Sequence, residues 1–166
     1  MPVFARVLTI LAVALLSACA NPMAGYNVQP GTPRQAVIER MGQPGRVLPL
    51  PGGGERLQYS LQPFGQWAWM VDLDASGRVL QSRQVLTDAN FQRIEPGKWT
   101  RADVEREFGP PARIDGVTSW NGPVLTYRWR DVANSDMFYW VYLDERNIVR
   151  RAHPGMEFIN APDERQ

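Results

Sequence analysis

Apolar and polar residues alternate along two stretches of the chain. Leu57, Tyr59 and Leu61 are separated by Gln58, Ser60 and Gln62, and Leu125, Tyr127 and Trp129 alternate with Thr126, Arg128 and Arg130. A period of two is the mark of a strand with one face buried. After the first stretch, GQWAWMVDLDASGRVLQSRQV (residues 65 to 85) reads as strand, Asp-Ala-Ser-Gly turn, strand. After the second, DMFYWVYLDERNIVRRA (136 to 152) repeats that order, with Asn147 where the first has Gly77. Both residues tolerate the positive φ of a tight hairpin.

The pattern upstream of each strand set is helical. VQPGTPRQAVIERMGQP (28 to 44) and IEPGKWTRADVEREFGPP (94 to 111) both run from Pro-Gly through a threonine to Gly-x-Pro. Val37 and Met41, and Val104 and Phe108, are four apart and share one helical face. Thr32, with Pro33 and Gln35, and Thr100, with Asp103, are the expected N-terminal caps. Gly42 and Gly109 stand at the expected C-terminal ends, and the prolines after them forbid continuation.

The two halves are in register. Gly42 and Pro44 recur as Gly109 and Pro111, 67 residues on; Leu57, Tyr59 and Leu61 recur as Leu125, Tyr127 and Trp129, 68 on. Val71, Leu73, Asp74 and Val79 recur as Val141, Leu143, Asp144 and Val149, 70 on. An ordered series at nearly constant offset marks a tandem repeat. The expected fold is α+β: two tandem repeats, each a short helical segment followed by an antiparallel β-meander, with the helices packed on one sheet face. The Pro-Gly, Thr, Val, Gly-x-Pro pattern, followed by a hairpin with an Asp-x-x-Gly turn, resembles the BamE family (SmpA/OmlA type) of small outer-membrane lipoproteins. Two such units in tandem resemble the architecture of the β-lactamase inhibitor protein, whereas the assembly-factor lipoproteins have one unit. The resemblance covers roughly residues 28 to 158 and carries no catalytic residues over. It implies a role in outer-membrane protein assembly or envelope integrity.

The N-terminus reads as an address. Val7 to Leu16 (VLTILAVALL) holds nine apolar residues and Thr9. Ten helical residues span about 15 Å, half a bilayer's hydrocarbon core, which suits a signal peptide rather than a membrane span. Leu16-Ser17-Ala18-Cys19 then resembles the lipobox of bacterial lipoproteins. That resemblance implies a diacylglycerol thioether on Cys19, cleavage before it and acylation of the new amine. Ala20, in place of the aspartate that retains such proteins at the inner membrane, implies sorting to the outer membrane, facing the periplasm. Two or three acyl chains anchor stably without a transmembrane helix. Cys19 is the only cysteine, so no intramolecular disulfide can form. The expected divisions are signal peptide 1–18, lipidated tether 19–27, unit one 28–92, unit two 93–158 and a polar tail 159–166.

Charge and chemistry narrow the function. The formal net charge is +1 over 166 residues, and the basic residues do not cluster, which argues against nucleic acid. His153, just after the last expected strand, is the single histidine. A Ser-His or Cys-His nucleophile would need it beside a serine or thiol, Cys19 is taken by the lipid, and a surface or strand-end histidine is expected. DLDASG (72 to 77) mimics the opening of a calcium loop, but Arg83 stands where the bidentate glutamate is needed. No zinc-ligand cluster, phosphate cradle or cofactor motif is present, and neither enzyme activity nor a small-molecule substrate is expected.

The remaining signal is aromatic. By alternation, Trp67, Trp69, Val71 and Leu73 match Met137, Tyr139, Val141 and Leu143 as core faces. The opposite face is Ala68, Met70 and Asp72 in unit one, and Phe138, Trp140 and Tyr142, flanked by Arg128 and Arg130, in unit two. With helices on one side, that other face is expected toward water, the alternative for the aromatic set being burial against unit one or under the tail from Pro154 onward. An aromatic patch edged by arginines has the composition of a protein-binding hot spot. The alternative, a hydrolase inhibitor, would use DGVTSWNGP (115 to 123), carrying Trp120, as a plug. The binding candidates are therefore Arg128, Arg130, Phe138, Trp140, Tyr142 and Trp120.

Overall fold

The computed structural model describes residues 26–157. The signal peptide, Cys19, the tether up to residue 25 and the tail 159–166 lie outside the described residues. The elements in chain order are α1 (Arg34–Met41), β1 (Arg46–Pro49), β2 (Glu55–Ser60), β3 (Ala68–Leu73), β4 (Val79–Gln84), α2 (Asp88–Phe91), α3 (Arg101–Phe108), β5 (Arg113–Gly116), β6 (Pro123–Arg130), β7 (Asp136–Leu143) and β8 (Val149–Met156). The strands form two four-stranded antiparallel sheets, each paired in chain order, β1-β2-β3-β4 and β5-β6-β7-β8. With few helices the architecture is α+β, consistent with two repeats.

The alternating residues build the cores. Leu57, Tyr59, Val71, Leu73 and Val79 of the first sheet pack with Val28 and with Val37 of α1. Leu125, Tyr127, Trp129, Tyr139, Val141, Leu143 and Val149 of the second pack with Val104 and Phe108 of α3. Tyr59 donates its hydroxyl proton to the Gly42 carbonyl and Tyr127 donates to that of Gly109, so each sheet ties down the end of a helix. Gly42 and Gly109 sit at φ 81° and 79° with ψ −172° and −174°. That is not the left-handed helical cap but a region essentially closed to residues with a Cβ. Gly77 and Asn147 take φ 75° and 60° in the two hairpins.

Four features depart from the expectation. Each sheet has an additional short edge strand, β1 and β5, whose four residues are mostly exposed and show no alternation to detect. Helix α1 starts at Arg34 without a side-chain cap, because the Thr32 hydroxyl donates to the Gln29 carbonyl instead; α3 does carry the Thr100/Asp103 capping box. The connection between units contains α2, capped by Thr87, and delivers Phe91 into the core. Phe91 stacks on Tyr139 at 4.0 Å between ring centroids and 6° between planes, with Phe108 at 4.9 Å and Trp129 at 5.5 Å.

The fourth departure concerns the second face of the first sheet, which is not toward water. Ala68 and Met70 are fully buried, in one cluster with Val104 and Phe108, so α3 has a sheet on both sides. Gln58, 1% exposed, donates from Nε2 to the carbonyls of Glu105 and Arg106, both at 3.0 Å. The Arg106 carbonyl is one of the last of α3 and has no partner within the helix, while that of Glu105 also accepts from the Gly109 amide. Arg56 binds Asp72 through two nitrogens at 2.6 and 2.9 Å and reaches Glu107 at 2.8 Å and the Arg106 carbonyl at 3.1 Å. Burial alone would raise the Asp72 and Glu107 carboxyls, but the hydrogen bonds and charge of Arg56, aided by Gln81 or Arg83, hold both below the usual carboxylate range.

Three outcomes follow from this packing. Phe91→Ala should cost about 3–5 kcal/mol in urea unfolding, the range for emptying an aromatic site in a close-packed core. Asp72→Ala should cost about 3 kcal/mol, because the near-buried Arg56 loses its bidentate partner. Because both carboxyls are lowered in the folded state, their contribution is present at neutral pH and is lost as pH falls. Wild-type stability should therefore be flat from about pH 7 to 5 and drop below about pH 4, more steeply than in Asp72→Ala.

Candidate protein-binding face

The second face of the second sheet is built by register. Val124, Tyr142 and Arg151 stand in one row, Thr126, Trp140 and His153 in the next, and Arg128, Phe138 and Gly155 in the third. Arg113 and Asp115 of β5 stand beside Thr126 and Val124. Phe138, Trp140 and Tyr142 are half-buried. Their rings form a run with the imidazole: Phe138 to Trp140 at 5.7 Å, Trp140 to His153 at 5.3 Å and His153 to Tyr142 at 5.5 Å. Trp120 closes the run edge-on to Tyr142 at 5.3 Å. The guanidinium groups of Arg113 and Arg151 lie over Phe138 and Tyr142, 5.1 and 5.3 Å from the ring centroids. Cations placed so are held by the negative ring face.

Trp120 thus joins the same face as the β7 aromatics, and it does so by a bond. Its Nε1 donates to the Leu143 carbonyl at 2.7 Å, so the loop of residues 117–122 is pinned to the sheet. The segment 115 to 123 is not one loop either, since Asp115 and Gly116 belong to β5 and Pro123 opens β6.

Arg128 and Arg130 are engaged elsewhere. Arg128 binds Glu157 at 2.8 Å and donates to the carbonyls of Pro63 and Phe64, while Gln62 exchanges hydrogen bonds with its backbone. Arg130 binds Asp136 and the Gln66 side chain. These two arginines clamp the β2–β3 loop of the first unit onto the second sheet, and the arginines over the rings are Arg113 and Arg151. His153 lies inside β8 rather than after the last strand, its Nε2 enclosed without a hydrogen-bond partner. Counting parity from the buried Val149 puts Arg151 and His153 on the core face; the register shift between Tyr142 and Leu143 moves them onto the aromatic one, and no sequence signal marks it. Arg113 had no signal either.

Little else at the surface suggests chemistry. The Asp74 carboxylate accepts from the amides of Ser76 and Arg78 and from the Ser76 hydroxyl, so DLDASG is a self-satisfied hairpin turn. Among the described residues no group of three or more His, Cys, Asp or Glu is placed to hold a metal. Two open clefts, one of about 450 Å³ at Thr100, Arg101, Ala102, Glu105 and Asn147 and one of about 580 Å³ at Leu48 to Pro51 and Arg106, contain neither histidine nor cysteine.

No protein-family profile matches the chain, and no curated protein matches it. A crystal structure of a DUF4309 family protein (YjgB) from Bacillus subtilis subsp. subtilis str. 168 is similar at 12% identity, over 76% of this chain and 79% of that one, with a TM-score of 0.31. A likeness that weak carries no functional weight.

Gly155 is the floor under Trp140. A Cβ there would stand 2.3 Å from Cζ3 and 2.7 Å from Cη2 of the indole. Gly155→Ala should therefore displace the Trp140 ring, changing near-ultraviolet circular dichroism and shifting tryptophan emission to the red. The far-ultraviolet spectrum should keep its shape, because the backbone pairing of β8 is unaffected.

Proposed function

We propose that the protein is a lipid-anchored, non-catalytic protein-binding module of the outer membrane, held at the periplasmic face through Cys19. The observation that carries the binding role is the aromatic run from Trp120 to Phe138, half-buried and overlain by Arg113 and Arg151. Rigid aromatic side chains fixed by a sheet, with guanidinium groups beside them, are the composition of interface hot spots. No helix among the described residues covers this face, while α3 covers the matching face of the first sheet.

The lipobox and the likeness of the helix–meander unit to the BamE family support an accessory or scaffold role in outer-membrane protein assembly or envelope integrity. On this reading the two units descend from a duplicated helix–meander. The second unit's free face was then released from packing a following helix and became available to a partner. No cofactor, small molecule or nucleic acid is required. The alternative, inhibition of a periplasmic or incoming hydrolase, would use the 117–122 loop, whose Trp120 is bonded back to Leu143.

In-cell crosslinking of the full-length protein, followed by mass spectrometry, tests the reading. Recovery of components of the β-barrel assembly machinery is the expected outcome, and capture of a soluble hydrolase alone would overturn it. Trp140→Ala should weaken the captured complex about thirtyfold, roughly 2 kcal/mol, with unfolding unchanged to within about 1 kcal/mol. Undiminished capture by a folded Trp140→Ala protein would remove this face from the interaction.

A further inference from the structure

Among the described residues, the two most exposed large hydrophobic side chains are Val132, at 106%, and Phe64, at 91%, and Met156 is 58% exposed. Singly, such residues need no explanation. These three project from one hydrogen-bonded knot. The loop carrying Phe64 is held by Arg128, which binds the carbonyls of Pro63 and Phe64 and the Glu157 carboxylate. Gln66 of that loop joins Arg130 to Asp136, and Arg130 binds Asn134 in the turn that carries Val132. Glu157, beside Met156, donates its amide to the Asp136 carbonyl. Three segments distant in sequence thus present one apolar tip each at the same end of the molecule.

The chain also arrives at that end. Gly31 donates to the Val79 carbonyl, and the Tyr26 carbonyl accepts from Ser82. Read backwards from Gly31 to Tyr26, the segment therefore runs along β4 toward Gln84. Tyr26 stacks on Trp69 at 6.1 Å, and Trp69 pairs with Gln84 and Tyr59 next to the β2–β3 loop that bears Phe64. Cys19 precedes Tyr26 by seven residues. Whatever their conformation, seven residues span at most about 25 Å.

We infer that the end bearing Phe64, Val132 and Met156 is apposed to the lipid bilayer, with these side chains entering its interface. The inference rests on Cys19 being the anchor. An anchor at most about 25 Å from Tyr26 keeps this end near the membrane, and apolar tips are the groups a bilayer surface would take up. Of the nearby charges, Arg128 pairs with Glu157 and Arg130 with Asp136, while the Asp131 carboxylate accepts from the Ser135 amide within its own turn. Contact therefore needs no anionic lipid. The aromatic face then rises from Phe138 near the membrane toward Trp120 away from it, so that a partner in the same membrane meets it side-on.

The test uses the mature lipidated protein in neutral phosphatidylcholine vesicles with brominated acyl chains. Because Cys19 carries the lipid and is the only cysteine, Phe64→Cys, Val132→Cys and Leu80→Cys each supply one thiol for an environment-sensitive dye. Leu80 lies at the start of β4, at the other end of the sheet, and is 57% exposed. Dyes at 64 and 132 should shift to the blue and be quenched by bromine, and the dye at 80 should do neither. Water-like emission at 64 and 132, on protein whose Cys19 incorporates labelled palmitate, overturns the apposition alone. So does a response that needs native outer membranes, which would make the occupant a protein, or an equal response at 80. Absence of palmitate on Cys19 defeats the anchored reading, and the apposition with it.

Discussion

Helix α3 holds the two sheets together because it is buried on two sides. Its Val104 and Phe108 enter the core of the second sheet, which the Phe91 ring extends, and the same helix covers Ala68 and Met70 of the first. Near its C-terminus the carbonyls of Glu105 and Arg106 accept from Gln58, and that of Arg106 also from Arg56, both of the first sheet. Arg56 can stand there, nearly buried, only because Asp72 and Glu107 flank it. A cation among the last carbonyls of a helix also complements the helix dipole. The polar pair therefore sets where α3 sits, and the apolar contacts supply the bulk of the attraction.

The same constraint explains why the second faces of the two sheets diverge. Small or flexible residues, Ala68 and Met70, leave room for a helix to approach the first sheet. Phe138 and Trp140 fill the corresponding space on the second with their own rings, and Trp140 lies across Gly155. A helix could not dock there at the same depth. What remains is a shallow aromatic surface with guanidinium groups over Phe138 and Tyr142. Such a surface suits a partner's side chains better than a buried helix, which is why it is the proposed contact face.

Loop and anchor geometry link that face to its setting. The β2–β3 loop of the first unit is bonded to Arg128 and Arg130 of the second, so the two units share one end as well as one helix. An anchor within about 25 Å of Tyr26 would keep that end near the membrane.

Much of the fold was legible in the sequence. Alternation at Leu57, Tyr59, Leu125 and Tyr127 marks strands with one buried face. The turn residues Gly77 and Asn147 and the terminators Gly42 and Gly109 mark where segments end, since few residues accept their backbone angles. These are local signals, written within a few residues of where they act. The edge strands β1 and β5 were not legible, because an exposed four-residue strand needs no apolar pattern. Nor was it legible that Gln58, Asp72 and Arg56 would be buried, because polar residues on a strand read as a wet face until a helix about 50 residues later is laid across them. The candidate face divided in the same way. Parity put Phe138, Trp140 and Tyr142 together. Only the tertiary structure brought Trp120 onto Tyr142, placed Arg113 and Arg151 over the rings and drew Arg128 and Arg130 into the clamp, since each of those contacts joins segments that no local pattern connects.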